Sequence, residues 1–231
     1  GTLGALLLDT GKTVEAESML RSAVAAAPND PAAHINLAAA LSLRGALGEA
    51  EAAYDQALAR DGDNSQALGG LAALRGYQGR YDDAIELLER AIAAEPDAAP
   101  LHASLGTMLR RQEKWGKAIT AFRAAWDAEP KELSRAQAFA DSLSSATYLL
   151  ANAQLWNDLE RALKAEGINH DPLSAAASRL LRNSQQVMPL VEEALAAGFT
   201  LNATEVQREG KLAPLTTEFA ILLLRRAPVR D

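Results

Sequence analysis

The 231-residue chain has no cysteine. Disulfides, thiolate metal sites and a cysteine nucleophile are therefore excluded, and a reducing compartment such as the cytoplasm is the expected setting. Aromatic residues make up only 5% of a chain that is 48% hydrophobic. Alanine is the commonest apolar residue, which suits close helix packing, and the high apolar content argues against disorder. No apolar run approaches the ~20 residues that span a bilayer. The N-terminus shows no basic region followed by an apolar core, so no signal peptide is visible in this stretch. Basic residues are in deficit: residues 1–132 hold 13 Lys and Arg against 19 Asp and Glu, and residues 133–231 hold 10 against 11. This balance disfavours nucleic acid, which selects a basic face. Metalloprotease, P-loop, dinucleotide-binding and nucleophile-elbow motifs are all missing. The expectation is a chain with no catalytic residues, no metal and no cofactor.

What is present is a period. The stretch from Gly79 to Pro96 recurs every 34 residues. Ala84 aligns with Ala16, Ala50 and Ala118, and Ala91 with Ala23, Ala57 and Ala125. Gly79 aligns with Gly11 and Gly45, while the fourth copy has Glu113; Pro96 aligns with Pro28 and Pro130, while the second copy has Gly62. A fixed period of this length marks a stacked repeat protein. Gly1 falls mid-helix in this register, so the chain is expected to continue beyond its first residue.

Each repeat reads as a helical hairpin. In the second copy, Asp30 suits the cap and Pro31 the first turn of a helix over 31–44, which Gly45 ends. A second helix follows over 47–60. Leu37, Ala38 and Leu41 share one face of the first, and Ala50, Tyr54 and Ala57 one face of the second. The third copy repeats the pattern with Leu71, Ala72, Tyr81, Ala84, Leu88 and Ala91, and the fourth with Leu105, Gly106, Leu109, Trp115, Ala118, Phe122 and Ala125.

These residues resemble the tetratricopeptide repeat family. Leu105-Gly106, Gly79-x-Tyr81, the alanines 84 and 91 with Leu88 between them, and Pro96 carry the match. The resemblance covers about residues 1–132 as four repeats, the first incomplete. It implies an all-α, right-handed superhelical solenoid that acts as a protein–protein interaction module. Beyond it, residues 133–231 read as a capping helix and a helical extension, with helices expected at about 155–166, 172–183, 187–197 and 214–226.

The concave face of such an array is lined by the first helix of each hairpin. By register it includes Asn36, Leu43, Gly69, Gly76, Tyr77, Thr107, Arg110 and Arg111. Its small residues would admit the backbone of a protein or peptide ligand. Alternatively, the chain's own C-terminal helices fill the groove. Asn36 occupies the position at which some relatives carry a ladder of asparagines, but the other copies have Thr2, Gly70 and Ser104. Arg110, Arg111, Lys114 and Lys117 form the one local basic cluster. They either meet an acidic ligand or complement the negative end of a helix dipole. His34 and His102 recur at one repeat position and read as packing residues. His170 sits before Asp171-Pro172 and reads as a turn residue. Asp61-Gly62-Asp63-Asn64 has part of a calcium-loop composition at the wrong spacing.

A weaker resemblance covers residues 171–231. The stretch from Asp171 to Arg182 and the ending from Leu222 to Asp231 are similar to linker helices in bacterial proteins that join such repeats to a methyltransferase domain. On that reading a catalytic domain follows residue 231. A third reading assigns the apolar stretch Phe219–Leu224 to a homodimer or to intramolecular docking.

Overall fold

The computed structural model describes residues 13–145, 158, 161–162 and 165–169. Among these the only regular elements are helices. Eight run in order: α1 (Thr13–Ala26), α2 (Pro31–Arg44), α3 (Leu47–Leu58), α4 (Ser65–Tyr77), α5 (Tyr81–Ala94), α6 (Ala99–Arg111), α7 (Trp115–Ala128) and α8 (Leu133–Ser145). Residues 158 and 161–162 are also helical. The helices expected from residue 172 onward lie outside the described residues. The chain divides into two compact units, Gly1–Lys114 and Trp115–Asp231. This division falls between the two helices of the fourth repeat, whereas the sequence period runs on to about residue 132.

Local chemistry sets the helix ends. Asp30 caps α2 by accepting from the Ala32 amide at 3.0 Å, and Asn64 caps α4 by accepting from the Ala67 amide at 3.0 Å. Asn64 also donates to Asp61 at 2.9 Å. The calcium-like stretch is thus a helix start, and no group of three or more metal-capable side chains occurs among the described residues. At the C-termini one turn recurs. Gly45 and Gly79 take φ of 82° and 77°. In each case the next residue's amide closes the helix: Ala46 on the Leu41 carbonyl and Arg80 on the Arg75 carbonyl, both at 2.9 Å. Glu113 makes the same turn at φ 58°, and Lys114 bonds the Leu109 carbonyl at 2.9 Å. The fourth copy keeps the geometry without the glycine that makes it cheap.

In the first unit, successive helices pack as antiparallel hairpins, and α2 also meets α4, as α4 meets α6. The alanines of the period lie where axes approach: Ala16, Ala50, Ala57, Ala84 and Ala91 are all 0% exposed. Larger side chains such as Leu20, Leu41 and Leu68 fill the space between hairpins. Polar ties join the repeats. Glu17 of α1 pairs with Arg21 at 3.0 Å and with Arg44 of α2 at 3.1 Å, and both arginines reach Glu49 of α3. His34 Nε2 meets the Pro28 carbonyl at 2.9 Å, and His102 Nε2 meets the Pro96 carbonyl at 2.7 Å. A carbonyl only accepts, so Nε2 carries the hydrogen in both rings. The two histidines do more than pack: each ties the start of its hairpin to the end of the one before.

In the second unit, α7 packs on α8, with Phe122, Trp126, Phe139 and Leu143 buried. The Trp126 and Phe139 rings lie 5.5 Å apart. Arg123 holds the buried Asp158 through two bonds, one of them 2.9 Å. Arg161 lies 3.8 Å above the Trp126 ring and pairs with Asp127.

Candidate functional site

The inner helices α2, α4 and α6 position the expected groove residues. Leu43, Tyr77 and Arg111 stand 34 residues apart, each in the last turn of its helix. Leu43 is 67% exposed and Tyr77 81% exposed. They are two of four large hydrophobic side chains exposed among the described residues, and they occupy a single repeat position. Arg111 continues the row and is exposed too. Asn36 is half-buried on α2. Thr107 is half-buried and donates to the Ala103 carbonyl at 2.9 Å, which satisfies its hydroxyl within α6. Arg110 is half-buried and already engaged. Lys114 lies 3.7 Å from Asp82, and Lys117 belongs to the second unit.

The small residues of this face are not openings. A Cβ at Gly69 would come within 2.8 Å of Leu101, and one at Gly76 within 2.6 Å of the Met108 sulfur. Both neighbours belong to α6. A Cβ at Gly70 would lie 2.4 Å from the Tyr54 ring of α3. The expectation that glycines admit a ligand's backbone is therefore corrected: neighbouring helices of this chain fill those spaces. The Tyr54 contact also explains why the third copy has glycine where the second has Asn36. In register, Leu20 precedes Asn36 and Leu88 precedes Ser104. Where the larger Tyr54 stands, only glycine fits at position 70.

Electrostatics separate α4 from its neighbours. Arg75 stands in register with Leu41 and Leu109, yet its side chain is only 11% exposed. It reaches Glu51 of α3 at 2.5 Å. The hydrogen bond from Arg75 holds the Glu51 carboxyl below its ordinary range. Burial pushes the Tyr54 phenol up, so it stays neutral at physiological pH. Sequence reasoning passed over Arg75 and the histidine bonds. Both had a signal. Arginine replaces leucine in a core register, and the pairs Pro28/His34 and Pro96/His102 are jointly replaced by Gly62/Leu68.

Residues 7–74 and 70–132 each match the tetratricopeptide repeat family. No curated protein matches the chain. Solved structures do. That of pilF from Pseudomonas aeruginosa is 23% identical, with a TM-score of 0.58 over 83% of this chain and 95% of that one. MamA from Desulfovibrio magneticus RS-1 is 21% identical, with a TM-score of 0.56 over 80% and 94%. A thermophilic TPR protein of Thermus thermophilus is 22% identical, with a TM-score of 0.53 over 78% and 96%. At these identities the likeness is one of fold, and it bears out the all-α solenoid class. No helix of the described residues is long and apolar enough to cross a membrane. The methyltransferase linker finds no support in any of these matches, and its residues, like Phe219–Leu224, lie outside the described part. The chain belongs to the tetratricopeptide repeat family, whose arrays are protein–protein interaction modules.

Proposed function

We propose that residues 1–132 act as a non-enzymatic module that holds a protein segment across Leu43, Tyr77 and Arg111. The observation that carries this reading is the row itself. Leu43 and Tyr77 are large, exposed and one repeat apart. Large apolar side chains left in water at one repeat position are what an interaction surface would present, and an exposed tyrosine brings large contact area with few rotors to freeze. Asn36, Thr107 and Arg110 are half-buried and supply the margin of the surface rather than its centre. A cytoplasmic location belongs to the same proposal, consistent with a chain that has no cysteine.

Selection of a random peptide library on the full chain tests it. Enriched peptides should lose at least about tenfold in affinity, some 1.4 kcal/mol, on Tyr77→Ala. The melting temperature should stay unchanged, because the side chain is exposed. Peptides that bind wild type and variant equally would place the ligand on another face.

A further inference from the structure

We infer that the segment held on this face is a peptide that runs from apolar to acidic, with its aliphatic or aromatic side on Leu43 and Tyr77 and a carboxylate on Arg111. The inference rests on the interaction-module reading and specifies the partner's chemistry. It comes from which charges on the inner helices are already compensated. Arg44, beside Leu43, is held by Glu17 and Glu49. Arg75, in the last turn before Tyr77, is held by Glu51. Arg110 is engaged, and Lys114 faces Asp82. Arg111 has no ion-pair partner among the described residues, and Glu113, two residues on, forms none with it. The row therefore presents two apolar side chains at one end and one uncompensated cation at the other.

The chain's overall charge of -7 opposes an acidic partner, so the attraction has to be local. A guanidinium grips a carboxylate through two parallel hydrogen bonds. Adjacent helix axes stand about 8–10 Å apart. Three inner helices then set Leu43 and Arg111 about 16–20 Å apart, which five or six extended residues span at about 3.3 Å each.

The test is a fluorescence-anisotropy titration of the full chain at ~150 mM salt, where charges beyond ~8 Å are screened. One labelled octapeptide has leucine and phenylalanine in its first half and glutamates in its second; the other has lysines in place of the glutamates. The acidic probe should bind wild type at least about tenfold more tightly than the basic one. Arg111→Glu should invert that order, and Tyr77→Ala should weaken both probes. Arg111 is exposed, so a melting temperature within about 2 °C of wild type shows that the fold survives the charge reversal. Equal binding of the two probes, or an acidic probe indifferent to Arg111→Glu, overturns the inference. Library peptides that need Tyr77 but ignore Arg111 would leave the interaction module standing and remove only its polarity. Library peptides indifferent to Tyr77 would remove the module reading itself.

Discussion

Two glycines of α4 do the same job against different neighbours. Gly70 faces back and makes room for the Tyr54 ring of α3; Gly76 faces forward and makes room for the Met108 thioether of α6. The first neighbour is rigid and 5% exposed, boxed in by the hydrophobic core around Leu37, Leu41 and Ala57. The second is the end of a flexible, half-buried chain. The comparison shows that a missing Cβ is costly to restore only where the intruding group has nowhere to go.

The largest expected effect breaks that comparison directly. Gly70→Ala should destabilise by about 1–2 kcal/mol net, because overpacking costs about 1–3 kcal/mol and the helix gains up to ~1 kcal/mol from alanine. Gly76→Ala should fall within about 0.5 kcal/mol of wild type, since Met108 can swing aside and the helix gain offsets the rest. Urea unfolding of the two variants distinguishes them. Tyr54→Leu introduced with Gly70→Ala should recover part of the loss, a non-additivity expected of residues in contact. Equal costs at the two glycines would mean that Met108 is as fixed as Tyr54.

A middle-sized effect lies at the helix ends. Glu113→Gly should stabilise by about 1 kcal/mol, because a side chain in the left-handed region costs roughly that much. Gly79→Ala should cost about as much at the equivalent turn. If Glu113→Gly lowers the melting temperature instead, the Glu113 side chain contributes more than its backbone strain costs.

The smallest effect concerns the Glu51–Arg75 pair between α3 and α4. The Glu51 carboxyl is depressed by the hydrogen bond from Arg75. Its contribution is therefore full above the ordinary glutamate pKa of ~4.3 and is lost as pH falls through the lower folded value. Stability measured from pH 7 to pH 3 should fall less in Glu51→Gln than in wild type. The difference should be no more than about 1 kcal/mol, since the pair is partly solvated. Identical acid limbs would show the pair to be inert.

How far these features were legible depends on whether they repeat. The alanines at 16, 50, 84 and 118 recur, so the period alone places the hairpins and their packing faces. Leu43, Tyr77 and Arg111 are also a register column, and periodicity alone put them on one face. Exposure was not legible, nor was which arginine is already paired. Arg44, Arg75, Arg110 and Arg111 look alike in sequence, and the carboxylates that hold Arg44 and Arg75 stand on other helices, at Glu17, Glu49 and Glu51. The glycines misled for a related reason. A small residue facing a groove looks the same in sequence whether a ligand or the next helix fills it, and only the neighbour's rotamer decides. The fading of the period after residue 132 removed the means of placing anything further.

The carbonyl that ends each of the first three hairpins works as a common socket. On Pro28 it receives His34 and also Arg60, at 2.9 and 2.7 Å. On Gly62 it receives Arg90 at 3.0 Å, and on Pro96 it receives His102 at 2.7 Å. The acceptor is backbone, present whatever residue stands there, whereas the donor is a side chain brought by the hairpin that follows. A repeat moved to a new place in the array, or transplanted into another, therefore carries its own socket but leaves its plug behind. Grafting should keep the pieces from Pro28 to His34 or from Pro96 to His102 whole, with the cut made inside a hairpin instead of at its end.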